Sequence, residues 1–189
     1  MKNTWWLLAI GLLGMCGSRE MVWAQSTEVS EAKAGLLGER LATSQTAPIT
    51  EYDVGDLSSM TLTSKAWNAL ANGDHATVEV YAKKCIALYE AKALQMQASL
   101  TNFVPTNEPQ TVQNYWALND VATCYFIWGE SLMNQRRDQE AKVAFERIVN
   151  DFSFAQCWDP PPHGWFWKVA VAARGQLNKI RVESSEKGG

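Results

Sequence analysis

The stretch from Ala122 to Ala155, ATCYFIWGESLMNQRRDQEAKVAFERIVNDFSFA, decides the fold of this chain. Apolar residues recur in it at spacings of three and four, which is the period of an amphipathic helix. The charged run Arg136-Arg137-Asp138 interrupts this pattern and predicts a turn. The stretch therefore predicts two helices that pack against each other as an antiparallel pair.

The same 34 residues resemble a tetratricopeptide repeat (TPR) in length and in residue choice. Aromatic or apolar residues around a glycine fill its W-x₂-L-G-x₂-Y frame, and a small residue and an aromatic fill its A-x₃-F pair. The resemblance implies that these are packing residues: Tyr125, Trp128, Gly129, Leu132, Ala141 and Phe145. Ser153 stands where a typical repeat ends in proline, so the path of the next turn stays open.

Helical periodicity also precedes this pair. Residues 59–92 resemble a less regular repeat whose turn is Asn72-Gly73-Asp74. The second helix of that repeat is predicted to continue to about Leu100. Pro105 and Pro109 then break the helical pattern within an insertion that regular repeat arrays do not have.

The two helices of the Ala122–Ala155 pair have predicted bounds, and one further helix completes the predicted fold. Residues 111–135 form one helix, or two that meet at Asn119-Asp120, and the next helix spans Gln139 to Asn150. A final helix is predicted from about Gly164, because the prolines Pro160 to Pro162 cannot lie in a helix interior.

The final helix resembles the capping helix of a repeat array. Its predicted inner face contains Trp165, Val169, Ala172, Ala173, Leu177 and Ile180. The sequence thus predicts an all-α fold, a TPR-like stack of antiparallel helix pairs with a C-terminal capping helix, over residues 59–182. A disordered tail is predicted for residues 183–189.

The N-terminus is typical of a signal peptide for export. Lys2 supplies a positive charge, the stretch from Trp5 to Cys16 is apolar, and Ala24 provides a small residue for cleavage. We expect cleavage between Ala24 and Gln25 and a periplasmic or secreted mature protein. The apolar run is shorter than the ~20 residues that a membrane-spanning helix needs, so no permanent membrane span is expected.

A lipoprotein is the less favoured alternative. Leu13-Gly14-Met15-Cys16 resembles a lipobox, in which Cys16 would carry the lipid. Met15 is larger than the residue that normally precedes a lipidated cysteine.

Residues 25–58 are predicted to form a flexible acidic linker, because they are rich in Ser, Thr, Glu, Ala and Gly and lack sustained periodicity. A short helix at Ser30 to Leu41 is the alternative. After cleavage the chain would carry 19 acidic and 15 basic residues without a long basic block. Nucleic acid is therefore not an expected partner.

Three cysteines follow the predicted cleavage point: Cys85, Cys124 and Cys157. An oxidising compartment permits one disulfide with one thiol left over, and three buried thiols are the alternative. Cys124 with Cys157 is the expected pair if a disulfide forms.

Catalytic chemistry finds little support in the sequence. Glycan hydrolysis needs two facing carboxylates, and Glu130, among aromatic neighbours, is the single candidate to inspect. Cys157, Asp159 and His163 lie within seven residues, yet neither a C-x₂-C pair nor an H-E-x-x-H motif is present. We therefore predict no catalytic residue, no metal ligand and no cofactor.

A second resemblance implies a different activity. Residues 116–124 (WALNDVATC), 155–160 (AQCWDP) and 164–168 (GWFWK) are similar to a family of small exported bacterial proteins sometimes labelled glucanases. That resemblance implies an envelope enzyme or accessory protein that acts on glycans.

The aromatic residues near the triple proline point to a contact surface. Neighbouring residues of a helix lie about 100° apart, so at least one ring of Trp165-Phe166-Trp167 is expected to face solvent. Trp158, Trp165 and Trp167 are the predicted partner contacts, with core packing as the alternative. The leading prediction is a non-catalytic envelope module that binds a protein or peptide, and a structural subunit that oligomerises is a further alternative.

Overall fold

The computed structural model describes residues 52–159 and 162–186. These residues form α1 (Ser59–Ala71), α2 (His75–Ala98), α3 (Pro109–Gln113), α4 (Trp116–Asn134), α5 (Asp138–Asp151), β1 (Gln156–Asp159), β2 (Trp165–Lys168) and α6 (Val169–Glu186). The mostly helical architecture confirms the all-α prediction, apart from one small two-stranded sheet. The predicted signal peptide, the linker up to residue 51 and the last three residues of the tail lie outside the described residues.

Local sequence explains where α1 and α2 begin. The Ser58 side chain accepts a hydrogen bond from the Thr61 amide at the start of α1, and Asp74 does the same for the Thr77 amide at the start of α2. Gly73 adopts a φ of +69° between the two helices, a conformation that glycine reaches without strain. The predicted turn at residues 72–74 is therefore confirmed.

Helix α4 lies at the centre of the core. It packs against α1, α2, α5, α6 and β1, and its buried residues surround its axis because a helix covered on all sides is apolar all round. These residues are Ala117, Leu118, Val121, Ala122, Thr123, Cys124, Phe126, Ile127, Gly129, Ser131 and Leu132. The hydrophobic stretch that indicated a helix is thus the helix on which the others are assembled.

The region predicted at 111–135 forms two helices, but they do not meet at Asn119-Asp120. Helix α3 ends at Gln113 and α4 begins at Trp116. The side-chain amide of Asn119 donates to the Val112 carbonyl, so it ties the two helices together from within α4.

The predicted start of the final helix is wrong. Residues 165–168 form β2, which pairs with β1 in an antiparallel hairpin, and α6 begins only at Val169. Aromatic side chains favour strands, and Gly164 adopts a φ of +62° just before β2. Helix α6 then continues to Glu186, so residues 183–186 of the predicted tail are helical.

The end of the predicted linker packs against α2. The Tyr81 hydroxyl donates to the Asp53 carbonyl, and the Tyr89 hydroxyl donates to the Leu57 carbonyl. Tyr52 makes an edge-to-face contact with Tyr81. Residues 52–58 are therefore fixed on the helical domain.

In the described residues, no helix is long and apolar enough to cross a membrane.

Candidate functional site

The β-hairpin presents two faces with different surroundings. Its register pairs Gln156 with Lys168, Cys157 with Trp167, Trp158 with Phe166, and Asp159 with Trp165. Paired residues share a face, and faces alternate along each strand. The Cys157 and Asp159 pairs therefore lie on one face, and the Gln156 and Trp158 pairs lie on the other.

Trp167 packs against the helices. Its ring centroid lies 5.3 Å from that of Phe126 in α4, in an edge-to-face arrangement. Phe126 in turn contacts Trp67 of α1 and Phe145 of α5. Trp167 is half-buried because the strand turns this ring toward α4, and its role as a partner contact stays a prediction.

The opposite face is anchored at its inner end. The side-chain amide of buried Gln156 accepts a hydrogen bond from the Val104 N–H and donates to the Val104 carbonyl, both at 3.0 Å. The Gln156 N–H donates to the Asn119 side chain. The Lys168 ammonium lies 4.1 Å from the ring centroid of Phe103. Together these contacts hold the hairpin against the segment that joins α2 to α3, and against α4.

The outer end of the hairpin exposes two tryptophans. Trp158 is 46% exposed and Trp165 is 55% exposed. Trp158 lies edge-to-face on Phe166, with centroids 5.0 Å apart. The Trp165 Nε1–H donates to Asp159 Oδ2, and His163 Nδ1 lies 3.1 Å from the same oxygen. We call Trp158, Asp159, His163 and Trp165 the hairpin tip.

The two exposed rings belong to opposite faces of the hairpin. A partner that contacts both rings would therefore have to pack against both faces of the hairpin tip. A partner that packs against one face would contact one ring only. Pro160 and Pro161 lie outside the described residues.

The hairpin also covers one stripe of α4. Asn119 accepts a hydrogen bond from the Gln156 N–H, Thr123 lies beside Cys157, and Phe126 contacts the Trp167 ring. These α4 positions follow the i, i+4, i+7 spacing of one helix face. This inner surface is thus occupied by the chain's own hairpin.

The predicted repeat-packing residues lie along α4 and α5. A Cβ on Gly129 would come within 2.6 Å of the Phe145 ring, and Ala141 is fully buried. Tyr125 stacks on Phe152, its hydroxyl donates to Glu90, and it also contacts Trp128. Gly129 and Phe145 therefore form a close contact between α4 and α5.

Glu130 belongs to α4, and the side chains that act on its carboxyl belong to α6. Burial raises the pKa of its carboxyl, while Lys179 and Gln176 act in the opposite direction. Lys179 and Gln176 are not carboxylates, so neither of them forms with Glu130 the pair of carboxylates that glycan hydrolysis needs.

The Cys157, Asp159 and His163 cluster does not form an activated thiol. Burial raises the pKa of Cys157 to about 11, which keeps it protonated near neutrality, whereas a nucleophilic cysteine needs a lowered pKa. Asp159 instead binds Trp165 and His163. In the described ranges, no group of three or more His, Cys, Asp and Glu residues is arranged to hold a metal ion.

The expected pairing of Cys124 with Cys157 is not the arrangement found. All three described cysteines are free thiols. The Thr63 hydroxyl lies 3.2 Å from Cys124 Sγ and 4.0 Å from Cys85 Sγ. Cys157 lies in β1 of the hairpin, beside Thr123. Cys124 therefore has Cys85 as its neighbour.

Sequence reasoning missed two polar contacts between distant segments. The Ser59 hydroxyl donates to Asp120, a carboxyl whose pKa is raised by burial. His75 Nδ1 lies 2.9 Å from the Ser131 hydroxyl, which is only 1% exposed. A substrate would not reach that serine. No local motif marks either pair, because the partners are 61 and 56 residues apart.

Sequence reasoning also missed Asp159 and His163 as part of the exposed site. Two short segments rich in aromatic residues, on either side of a Pro- and Gly-containing turn, are the pattern of a β-hairpin. That pattern would have paired Asp159 with Trp165.

Comparison of the chain with protein-family models, curated proteins and solved structures finds no match.

Proposed function

We propose that this chain is a non-catalytic interaction module of the cell envelope, and that the hairpin tip is its contact surface. The observation that carries the proposal is the pair of exposed rings, Trp158 and Trp165, on a hairpin whose inner end is anchored to the helices. Large aromatic side chains in such positions supply much of the binding energy of protein interfaces.

Preorganisation supports this proposal. Trp165 is held by Asp159 and Trp158 by Phe166 before any partner arrives. Ordering a free side chain on binding costs about 0.5–1.5 kcal/mol. Because both rings already have partners within the hairpin, much of that cost is removed for them.

We further propose that the domain is a TPR-like derivative. Helices α1 and α2 form one packed pair, α4 and α5 form a second, and α6 packs on α5. In a repeat array the inner groove binds the ligand, whereas here the hairpin covers the α4 stripe at Asn119, Thr123 and Phe126. This occupancy favours the hairpin tip over the groove as the contact surface.

The proposed partner is a protein or peptide segment in the periplasm or outside the cell, after cleavage at Ala24-Gln25. The raised pKa of Cys157 and the lack of a carboxylate partner acting on Glu130 support a non-catalytic role.

A glycan is the second candidate ligand. The exposed Trp165 ring lies beside the Asp159 carboxylate and the His163 ring. A flat apolar ring with hydrogen-bonding groups at its edge is able to stack on a sugar and bind its hydroxyls. This arrangement would serve glycan binding without hydrolysis.

The test uses Trp158→Ala and Trp165→Ala, with Trp116→Ala as the matched control. Trp116 is 42% exposed but lies on α4 against Tyr89. Each purified variant is offered to envelope extracts and to a glycan array, and its melting temperature is measured. We expect the tip variants to melt within about 2 °C of the wild type, since surface changes cost less than about 0.5 kcal/mol. We expect at least one of them to lose about tenfold or more in binding.

Loss of protein capture supports the leading proposal, and loss of glycan capture supports the second. A tip variant that melts normally but changes self-association in ultracentrifugation identifies an oligomerising subunit instead. Unchanged binding in both tip variants, or equal loss in Trp116→Ala, refutes the hairpin tip as the contact surface.

A further inference from the structure

Two buried thiols meet where α1, α2 and α4 pack together. Cys85 and Cys124 are both fully buried, and both sulfur atoms contact the same oxygen, Thr63 Oγ1, at 4.0 and 3.2 Å. Since one small hydroxyl group touches both, the two sulfurs are neighbours across the α2–α4 interface. We propose that Cys85 and Cys124 are a redox modification site and form a disulfide in the oxidised protein.

The Thr63 hydroxyl does not oppose this change. It donates to the Ser59 carbonyl at 2.8 Å, so it stays paired if the two sulfurs leave it and bond to each other. Closing the bond would bring the sulfurs to about 2.05 Å and requires both cysteine side chains to turn from Thr63 toward each other. A disulfide also carries no acidic proton, and it therefore suits a site in which an ionised thiol is disfavoured.

Electrostatics indicates at which stage the bond forms. Burial and the neighbouring Cys85 raise the pKa of the Cys124 thiol well above its ordinary value. Because the thiolate is the reactive form, the folded, reduced pair resists attack. Oxidation is therefore expected while the helices assemble or open, and the folded domain then shields the bond from reductants.

Cys157 is excluded from the bond by its direction. Thr123 and Cys124 are adjacent in α4 and lie about 100° apart around the helix axis. Cys157, in β1, lies beside Thr123, whereas Cys124 faces Thr63 and Cys85. The odd cysteine left over by one disulfide is thus Cys157.

The reaction is thiol–disulfide exchange with a disulfide oxidant, either a small molecule or an oxidoreductase of the exporting compartment. One thiolate of the pair attacks a sulfur of the oxidant, forms a mixed disulfide and releases one oxidant thiolate. The second thiolate of the pair attacks the protein sulfur of that mixed disulfide and releases the other. The pair loses two electrons and two protons, and the oxidant is reduced to two thiols.

The test refolds the reduced full-length protein from urea at pH 8 with reduced and oxidised glutathione. Free thiols are then blocked with N-ethylmaleimide, and non-reduced peptides are analysed by mass spectrometry. We expect a peptide linked through Cys85 and Cys124, with Cys16 and Cys157 each alkylated or carrying glutathione. The bond would close a loop between residues 39 positions apart and raise the melting temperature by on the order of 5–10 °C.

Three cysteine-to-alanine variants check which two residues form the linked peptide found in the wild type. The linked peptide should persist in Cys157→Ala and vanish in Cys85→Ala and in Cys124→Ala. A link from Cys85 or Cys124 to Cys16 or Cys157, or alkylation of both Cys85 and Cys124 in the refolded wild type, overturns the proposal. So does a linked species that no longer melts cooperatively, because its bond would belong to a misfolded chain. None of these outcomes depends on the binding partner proposed for the hairpin tip.

Discussion

Gly129 shows how one side-chain position sets the distance between two helices. Any Cβ at this residue would come within 2.6 Å of the Phe145 ring, well inside ordinary van der Waals contact. Gly175, in the middle of α6, has no atom outside its own helix within 4 Å of the same position. The two glycines therefore have the same helical setting and opposite packing constraints.

We predict opposite signs for Gly129→Ala and Gly175→Ala. Overpacking at Gly129 should cost about 1–3 kcal/mol, partly offset by the gain of up to about 1 kcal/mol that alanine brings to a helix. At Gly175 only the gain remains, so that variant should be more stable than the wild type. Urea unfolding of both variants measures the difference. A Gly129→Ala variant as stable as Gly175→Ala would contradict the close contact between α4 and α5.

Three amide side chains act over long distances in the chain. Gln156 pairs with the Val104 backbone, Asn119 joins Val112 to Gln156, and Gln97 binds the Phe154 amide and the Ser153 hydroxyl. They satisfy backbone groups that would otherwise be buried without partners. No sequence pattern identifies them, because an amide residue in a helix or strand is equally common on an exposed surface.

At the scale of elements, the docking of α6 leaves a polar contact incompletely satisfied. Glu130 of α4 and Gln176 of α6 interact, and each retains a buried oxygen without a hydrogen-bond donor. A buried acceptor that lacks a donor is unfavourable. A proton on Glu130 removes the charge that burial disfavours, which agrees with the raised pKa of this carboxyl.

Glu130→Gln should therefore stabilise the protein at pH 7. Because the folded-state pKa is raised above 4.5, the folded protein holds more protons than the unfolded chain between 4.5 and that pKa. The free energy of unfolding thus falls as the pH rises through this window. Glutamine carries no charge to desolvate and does not titrate, so its advantage at pH 7 should shrink at pH 4.

Thermal melting of wild type, Glu130→Gln and the exposed control Glu186→Gln at both pH values checks this prediction. An equal effect of Glu130→Gln at pH 4 and pH 7 would rule out titration of Glu130 as its cause.

The hairpin is the element that sequence periodicity misassigned. A short apolar run such as Trp165-Phe166-Trp167 has no length over which a period of two and a period of 3.6 differ clearly. The prediction of a helix from Gly164 rested on the residues after it, and α6 does form from Val169. Pairing with β1 across the turn decided the conformation of the residues before it.

At the scale of the whole molecule, export remains a prediction of the N-terminal sequence. The order of a charged residue, an apolar run and a small residue at Ala24 is typical of a cleaved signal peptide. We expect the protein recovered from a periplasmic or secreted fraction to begin at Gln25. Intact-mass spectrometry checks this, and an N-terminus at Met1 or a lipid on Cys16 would contradict it.

The sequence by itself determined the mostly helical class, the turn at residues 72–74, the turn between α4 and α5 to within one residue, and the packing of the two helices within Ala122 to Ala155 against each other. These features follow from local physics: apolar residues at helical spacing, capping side chains at α1 and α2, and glycine or charged residues at the breaks. Each is encoded within a few neighbouring residues, so a sequence pattern is enough to find it.

Only the tertiary structure decided which aromatic rings are exposed and which thiols meet. Trp165 and Trp167 are two residues apart on the same strand face, yet one reaches solvent and the other packs on Phe126. Cys124 lies beside Cys85 because α1 brings Thr63 between α2 and α4. Such contacts join residues far apart in the chain, and their distances are set by the packing of whole helices rather than by local sequence.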